Sequence, residues 1–502
     1  MGAKNSPIYL SKSLFIRGLQ CHKSLYLHLF HPELRDELTE AQEARFQMGT
    51  EVGLHVRQLF PGGLEIPYEG LSHEEQLQRT SSASEKGATV LYEPAFSHDG
   101  VFVKVDILRR GRKGWEIYEV KSSAEVKDPH IDDISVQYFV VQGSGLPVSR
   151  ASVVYINNQY VRGGEIEAKE LFAVQDLTRE AQEKQGFVVE EIRKMRTMLQ
   201  GPVPEMDIGK YCANPYPCDF EGHCWAHIPA EDSIFDLRRK GPDLYDLYRQ
   251  GILYLKDLPD ELLSLHQRIQ VEGTRNQKDF LRPEAVADFL GSLRYPLCFL
   301  DFETFSLPIP PFDGTWPYQK IPFQYSLHCL RKEGAPLEHY EFLAPPHTDP
   351  REGLLRKLMG EIPEGACTLV YSRSFEEGVL RGLGEAFPEH SKWVERIIDG
   401  MEDLMVPFQR KDLYLWQMRG AYSMKSVLPA MVPELTYSDL EIQEGEMASQ
   451  AYLQFCSSED SAEREQIRKA LLEYCCLDTL GMVRIVERMR QLGGTGKERE
   501  RL

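Results

Sequence analysis

A chain of 502 residues is too long for one ordinary hydrophobic core, so two or three domains are expected. The formal charge, 58 − 77 = −19, excludes a protein that coats nucleic acid by bulk attraction. It leaves open an enzyme that meets phosphate through metal ions and local basic patches, of which "RRGRKG" (109–114) and "LRRKG" (237–241) are two.

The N-terminus carries no hydrophobic signal segment, and no apolar run approaches the roughly 18 residues that span a membrane. A cytoplasmic protein without membrane association is therefore expected. Ten cysteines in that setting are expected to be thiols, not a disulfide framework. Gly2 and Ser6 fit a loose N-myristoylation pattern, too short to carry weight.

In chain order, the segment "TEAQEARFQMGTEVGLHVRQLF" has helical periodicity, with Phe46, Val52, Val56 and Leu59 on one stripe. "ATVLYEPAF", "GVFVKVDILRR", "WEIYEVKSS" and "RASVVYINN" read as strands separated by turn chemistry. A helical stretch, "PHIDDISVQYFVVQGSGL", stands between the last two. Three cysteines follow, Cys212, Cys218 and Cys224, each pair separated by five residues. Residues 229–290 read as a helical linker; the spacing around Gly251 is too loose for a helical DNA-backbone module. From 291 to 490 the chain starts with a strand, "YPLCFLDFETF", and ends with a helix through "LLEYCCLDTLGM". Residues 491–502 are expected to form a flexible tail.

Two constellations carry chemistry. Asp106 and Glu119 are 13 residues apart across a short turn, and Lys121 shares a strand face with Glu119. Two carboxylates and a lysine fit Mg²⁺- or Mn²⁺-assisted phosphodiester hydrolysis; the other reading is a cross-strand ion pair. Asp301 and Glu303 share one face of a predicted strand, and Tyr474 and Asp478 share one face of a predicted helix. Such carboxylates converging from distant segments would hold two divalent ions about 4 Å apart, with Tyr474 aiming the attacking water.

Asp106 followed by "EVK" resembles the PD-(D/E)XK nuclease pattern, with Val105 in place of the proline, and more narrowly the RecB-like branch. The resemblance implies that His55 joins Asp106 and Glu119 as a metal ligand, and that Gln137 belongs to the site beside Lys121. Val141 replaces the tyrosine that this branch places four residues after the glutamine. The branch often carries a [4Fe–4S] cluster, which implies Cys21 as the first ligand and Cys212, Cys218 and Cys224 as the others. Such wide spacing suits an iron–sulfur cluster better than a zinc knuckle, and zinc is the alternative.

The second constellation resembles the DnaQ-like exonucleases of the RNase H fold, in the subgroup with a tyrosine four residues before the last aspartate. That resemblance asks for one more acid, Glu376 after Phe375, with Asp403 in reserve.

The two resemblances together imply an α/β multidomain protein. A PD-(D/E)XK domain with an iron–sulfur clasp would span 1–228, the helical linker 229–290, and an RNase H-like mixed sheet 291–490. The implied activity is metal-dependent hydrolysis of DNA, or RNA, at single-stranded ends, including 3′-to-5′ trimming. The rival expectation is a nucleic-acid-binding or scaffold protein with one or both sites decayed.

Overall fold

The computed structural model of the chain describes residues 9–493, and of residues 40, 41, 43–47 and 493 the backbone alone. The Gly2 and Ser6 pattern, the Phe46 side chain and residues 494–502 of the expected tail lie outside the described residues. The protein is α/β and multidomain with mixed sheets. It divides into two compact units, residues 1–227 with 307–319, and residues 228–306 with 320–502. Among the described residues no helix is long and apolar enough to cross a membrane.

In the first unit, β1 (Leu10–Ser11), β4 (Ala95–His98) and β5 (Val101–Lys104) form a small sheet in the order β1-β5-β4. A six-stranded mixed sheet runs β2-β3-β6-β7-β8-β9, from Leu64–Glu65, Val90–Tyr92, Ile107–Arg110, Trp115–Val120, Val148–Ile156 and Phe172–Asp176. Here "VFVKVDILRR" departs from the single strand expected of it. It breaks at Val105–Asp106 into β5 and β6, which belong to different sheets. "ATVLYEPAF" breaks likewise into β3 and β4, where Pro94 supplies no backbone donor. Asp106 therefore does not share a continuous strand face with Phe102 and Lys104.

Alternation resumes in the large sheet. Leu108, Trp115 and Ile117 enter one core with Ile134, Val136 and Val140 of the helix Asp128–Gly143. Ile107 and Tyr118 enter a second core on the opposite face, with Val52 and Val56 of the helix Glu40–Val56.

The N-terminal helix Lys12–Gln20 is capped by Ser11, whose hydroxyl accepts from Leu14 N at 3.2 Å. It packs so closely that a Cβ on Gly18 would stand 2.6 Å from Met195 Sδ.

In the second unit the region read as a linker contains the helices Leu244–Arg249 and Leu265–Asn276 and has its own apolar cluster around Ile234, Leu255, Leu258 and Val271. The first of these helices stops just before Gly251, whose φ of 87° only glycine adopts freely. A two-stranded piece pairs β10 (Phe280–Leu281) with β16 (Leu413–Tyr414). A five-stranded mixed sheet runs β13-β12-β11-β14-β15, from Glu338–Leu343, Ile321–Leu330, Leu297–Phe305, Cys367–Val370 and Met401–Asp403. β12 is antiparallel to β11 and β13, whereas β14 and β15 run parallel to β11 and to each other.

The strand period sorts this sheet. Cys298, Leu300 and Phe302 enter the core with Tyr325, Leu327 and Cys329. The alternate positions, including Asp301, Glu303, Ser326 and His328, fall on the other face, from which the long helix Ser461–Gly493 bonds to Ser326, His328 and Gln324. Cys298 and Cys329 are directly opposed and form a disulfide. This corrects the expectation of uniformly free thiols: strand register, which spacing in the sequence does not reveal, sets the two sulfurs side by side.

Candidate functional site

In the first unit the break before β6 points Asp106 to the face that carries Leu108, Ile117 and Glu119. Val120 N donates to Asp106 Oδ2 at 2.6 Å. Glu119 is 2% exposed, and its Oε1 accepts from Lys121 Nζ at 2.8 Å and from Lys12 Nζ at 2.7 Å. Gln137 Nε2 donates to Glu119 Oε2 at 2.7 Å and to Asp133 Oδ1 at 2.9 Å, and Lys121 Nζ reaches Asp133 Oδ2 at 2.6 Å. The structure thus brings together Asp106, Glu119, Lys121 and Gln137.

His55 is not joined to them by a hydrogen bond. Its helix packs Val52 and Val56 on the opposite face of the sheet, and its Nδ1 is buried without a partner. Burial holds the Asp106 carboxyl above its ordinary range. Burial and Asp106 push Glu119 the same way, but Lys12 and Lys121 outweigh them and its pKa lies low. Lys121 stands well above its ordinary value: burial works against the charge, and Glu119, Asp133 and Asp106 overcome it.

Two members escape sequence reading. Asp133 stands four residues before Gln137 on one helix face, a spacing that would have found it. Lys12 is 107 residues from Glu119, and nothing in its local pattern marks it. The carboxylates are oxygen ligands suited to Mg²⁺ or Mn²⁺, but Lys12 already occupies Glu119 and lies 3.3 Å from Asp133 Oδ1. Lys12→Met is therefore expected to tighten Mn²⁺ binding here by about tenfold, ~1.4 kcal/mol. Mn²⁺ titration followed by magnetic resonance, with Asp301→Ala silencing the other site, checks it.

Cys21, Cys212, Cys218 and Cys224 line one cavity with Tyr211, Phe220 and Trp225, and all four are free thiols. Polar contacts hold its two chain segments together. Gln20 Nε2 donates to the carbonyls of Tyr211 (2.8 Å) and Tyr216 (2.6 Å), and Arg17 pairs with Asp219. Burial raises the Cys21 and Cys224 thiols, with Cys218 and Cys212 adding to it. Four convergent sulfurs are a donor set for a soft metal centre.

In the second unit one oxygen each of Asp301, Glu303 and Asp478 lies within 4.8 Å of the others. Glu376, on the helix Arg373–Ala386, is 1% exposed, and its Oε2 is buried with no hydrogen-bond partner. Burial, with Asp478 beside it, pushes Asp301 well above the carboxylate range. Burial also pushes Glu303 and Glu376 well up, reinforced by the neighbouring acids, and Asp478 to about 6. Four neighbouring carboxyls, three of them on buried residues and one with an orphan oxygen, are a donor set short of cations, which fits divalent metal ions.

Asp403 is occupied elsewhere. Its two oxygens accept from the backbone N–H groups of Ser372, Arg373 and Met405 at 3.1, 3.0 and 2.9 Å. The side chain caps a helix start; Glu376 is the acid brought to the group.

Tyr474 is buried near Tyr437, with Lys425 5.9 Å from its ring. Burial and Asp478 hold the Tyr474 hydroxyl well above its ordinary value. Tyr437, whose hydroxyl donates to Asp478 Oδ1, and Lys425 are members of this site that sequence reading missed. Tyr437 lies outside the final helix, where no i,i+4 pattern includes it.

Residues 298–423 match the model of a domain of unknown function, DUF2779. The match covers β11 from its second residue, β12 and the helix bearing Glu376; it ends before the final helix and includes only residues 307–319 of the first unit. No curated protein matches the chain.

Proposed function

We propose that the protein is a divalent-metal-dependent nuclease with two active sites, acting on DNA or RNA ends, and that its second unit trims 3′ ends. The observation that carries this reading is the convergence of Asp301 and Glu303 of β11 with Glu376 and Asp478 of two helices, the last three buried. The sheet order β13-β12-β11-β14-β15, with β12 antiparallel, supports an RNase H-like fold for that unit. The group Asp106, Glu119, Lys121 and Gln137 supports a RecB-like PD-(D/E)XK reading of the first.

Bound Mg²⁺ or Mn²⁺ would lower the pKa of a water and offset charge on the phosphate. The four acids would hold the ions and exclude other anions. Tyr474, with its proton firmly retained, would donate a hydrogen bond and aim the water. Lys121 would stay protonated and act as a cation beside Glu119, while Gln137 fixes that carboxylate's second oxygen. Cys21, Cys212, Cys218 and Cys224 would hold a [4Fe–4S] cluster with a structural role, because hydrolysis needs no electrons.

One observation favours a second reading for the first unit. Lys12 and Lys121 already neutralise Glu119 and Asp133, as expected of a site that binds nucleic acid without cutting it.

A 5′-labelled single-stranded oligonucleotide with Mn²⁺ tests both readings. Asp301→Ala should remove the ladder of 3′-shortened products, and Lys121→Ala should leave it. A ladder lost only with Lys121→Ala would place the chemistry in the first unit and make the second a binding platform.

A further inference from the structure

A second donor set of different chemistry lies on the helix-covered face of the five-stranded sheet. His328 of β12 and His339 of β13 are directly opposed, with ring centroids 4.3 Å apart and planes at 22°. Cys476 approaches from the helix Ser461–Gly493. One ligand atom from each of the three lies within 4.8 Å of the other two.

The remaining ring nitrogens are already held. His328 Nδ1 bonds to Thr479 Oγ1 at 2.8 Å and His339 Nε2 to Ser326 Oγ at 3.0 Å, and the two hydroxyls bond to each other at 2.6 Å. These bonds fix both rings and leave His328 Nε2 and His339 Nδ1 available to a ligand. A metal-binding histidine is oriented in this way, by a hydrogen bond on its other nitrogen. Burial disfavours the charged form of both rings, and at His328 the neighbouring His339 and Arg484 add to it.

We propose that His328, His339 and Cys476 bind one borderline-soft divalent ion of the zinc class. Two imidazoles and a thiolate select such an ion, whereas Asp301, Glu303 and Asp478 offer only oxygen to a hard one. On binding, the Cys476 thiol passes its proton to water. A tetrahedral ion with bonds of about 2.0–2.3 Å draws its ligands somewhat closer than 4.8 Å. His339 is exposed, so the fourth position faces solvent. The proposal does not rest on the nuclease reading.

The full-length protein, as isolated, is titrated with Co²⁺ alone, and difference spectra are read for thiolate-to-cobalt charge transfer. An all-oxygen site cannot give that band. One equivalent should develop it in the wild type, in Asp301→Ala and in Cys21→Ser, and zinc should abolish it. Cys476→Ser should lose the band and His339→Ala should weaken it; both residues lie outside the core, and melting curves check folding. Thr479→Val should lower cobalt affinity by about 10–100-fold with the saturated band unchanged. A wild type without the band overturns the proposal. So does a band that survives Cys476→Ser, or one lost in Cys21→Ser, which would assign the ion to the four-cysteine cavity.

Discussion

Replacing Asp301 by asparagine should abolish 3′ trimming and, in the metal-free protein at pH 8, raise the melting temperature. The two effects have one cause. Asp301, Glu303, Glu376 and Asp478 lie together, and each carboxyl is held above its ordinary range. An acid whose pKa is raised by folding costs stability when ionised. The cost is absent below the unfolded carboxyl value near 4, grows as pH rises, and is complete above the folded value, about 6 for Asp478. The metal-free protein should therefore lose stability as pH rises from about 4, through about 6 for Asp478 and further for the other three acids, and Asp301→Asn should flatten that slope. Bound Mn²⁺ should restore the loss in the wild type, by about 2.7 kcal/mol at a hundredfold excess over Kd. The variant, lacking a ligand oxygen, should gain much less, and its trimming should fall by at least about 10³-fold, ~4 kcal/mol. Melting curves in chelator and in Mn²⁺, from pH 5 to pH 8, check this. A wild-type melting temperature flat in pH without metal would mean that the four acids are already neutralised, and the metal reading of the second unit would fail.

The parts of these sites that sequence makes legible are those set by one element's period. Asp301 with Glu303 follows from a strand, and Tyr474 with Asp478 from a helix turn. Asp133 is equally legible from Gln137. What register and chain breaks decide is hidden. The chain switches sheets at Val105–Asp106, so counting alternation through "VFVKVDIL" fails at the residue that matters. The Cys298–Cys329 disulfide and the His328–His339 pair both require knowing how β12 slides against its neighbours. In sequence Glu376 is preferred to Asp403 only because it follows an aromatic, Phe375. In the fold, the helix start that Asp403 caps and the unpartnered oxygen of Glu376 separate them. The family match at residues 298–423 covers that acid but stops before Asp478, so it does not reveal the complete set either.

If the proposed cluster is held as inferred, Cys21→Ser should abolish iron binding and also tighten Mn²⁺ binding at the distant Glu119. The N-terminal helix connects the two. Lys12 begins it and Cys21 caps its end, nine residues of helix at about 1.5 Å each. One end is held by Lys12 on Glu119 (2.7 Å). The other is held by Arg17 on Asp219, Gln20 on the 211–216 loop, and the ligation proposed for Cys21 with Cys212, Cys218 and Cys224. Loss of the cluster would free the loop and slacken the helix, so Lys12 would hold Glu119 less firmly and compete less with an incoming ion. Iron should fall from about four per chain to none, and the Mn²⁺ affinity should move in the direction expected of Lys12→Met. The two changes act through the same contact, so the double variant should bind Mn²⁺ no more tightly than Lys12→Met alone. Full iron content in Cys21→Ser would remove this cysteine from the cluster. Iron lost with Mn²⁺ affinity unchanged would show that Arg17, Gln20 and the apolar packing at Gly18 hold the helix without it. Additive effects in the double variant would show that Cys21 and Lys12 act on the carboxylates by separate routes.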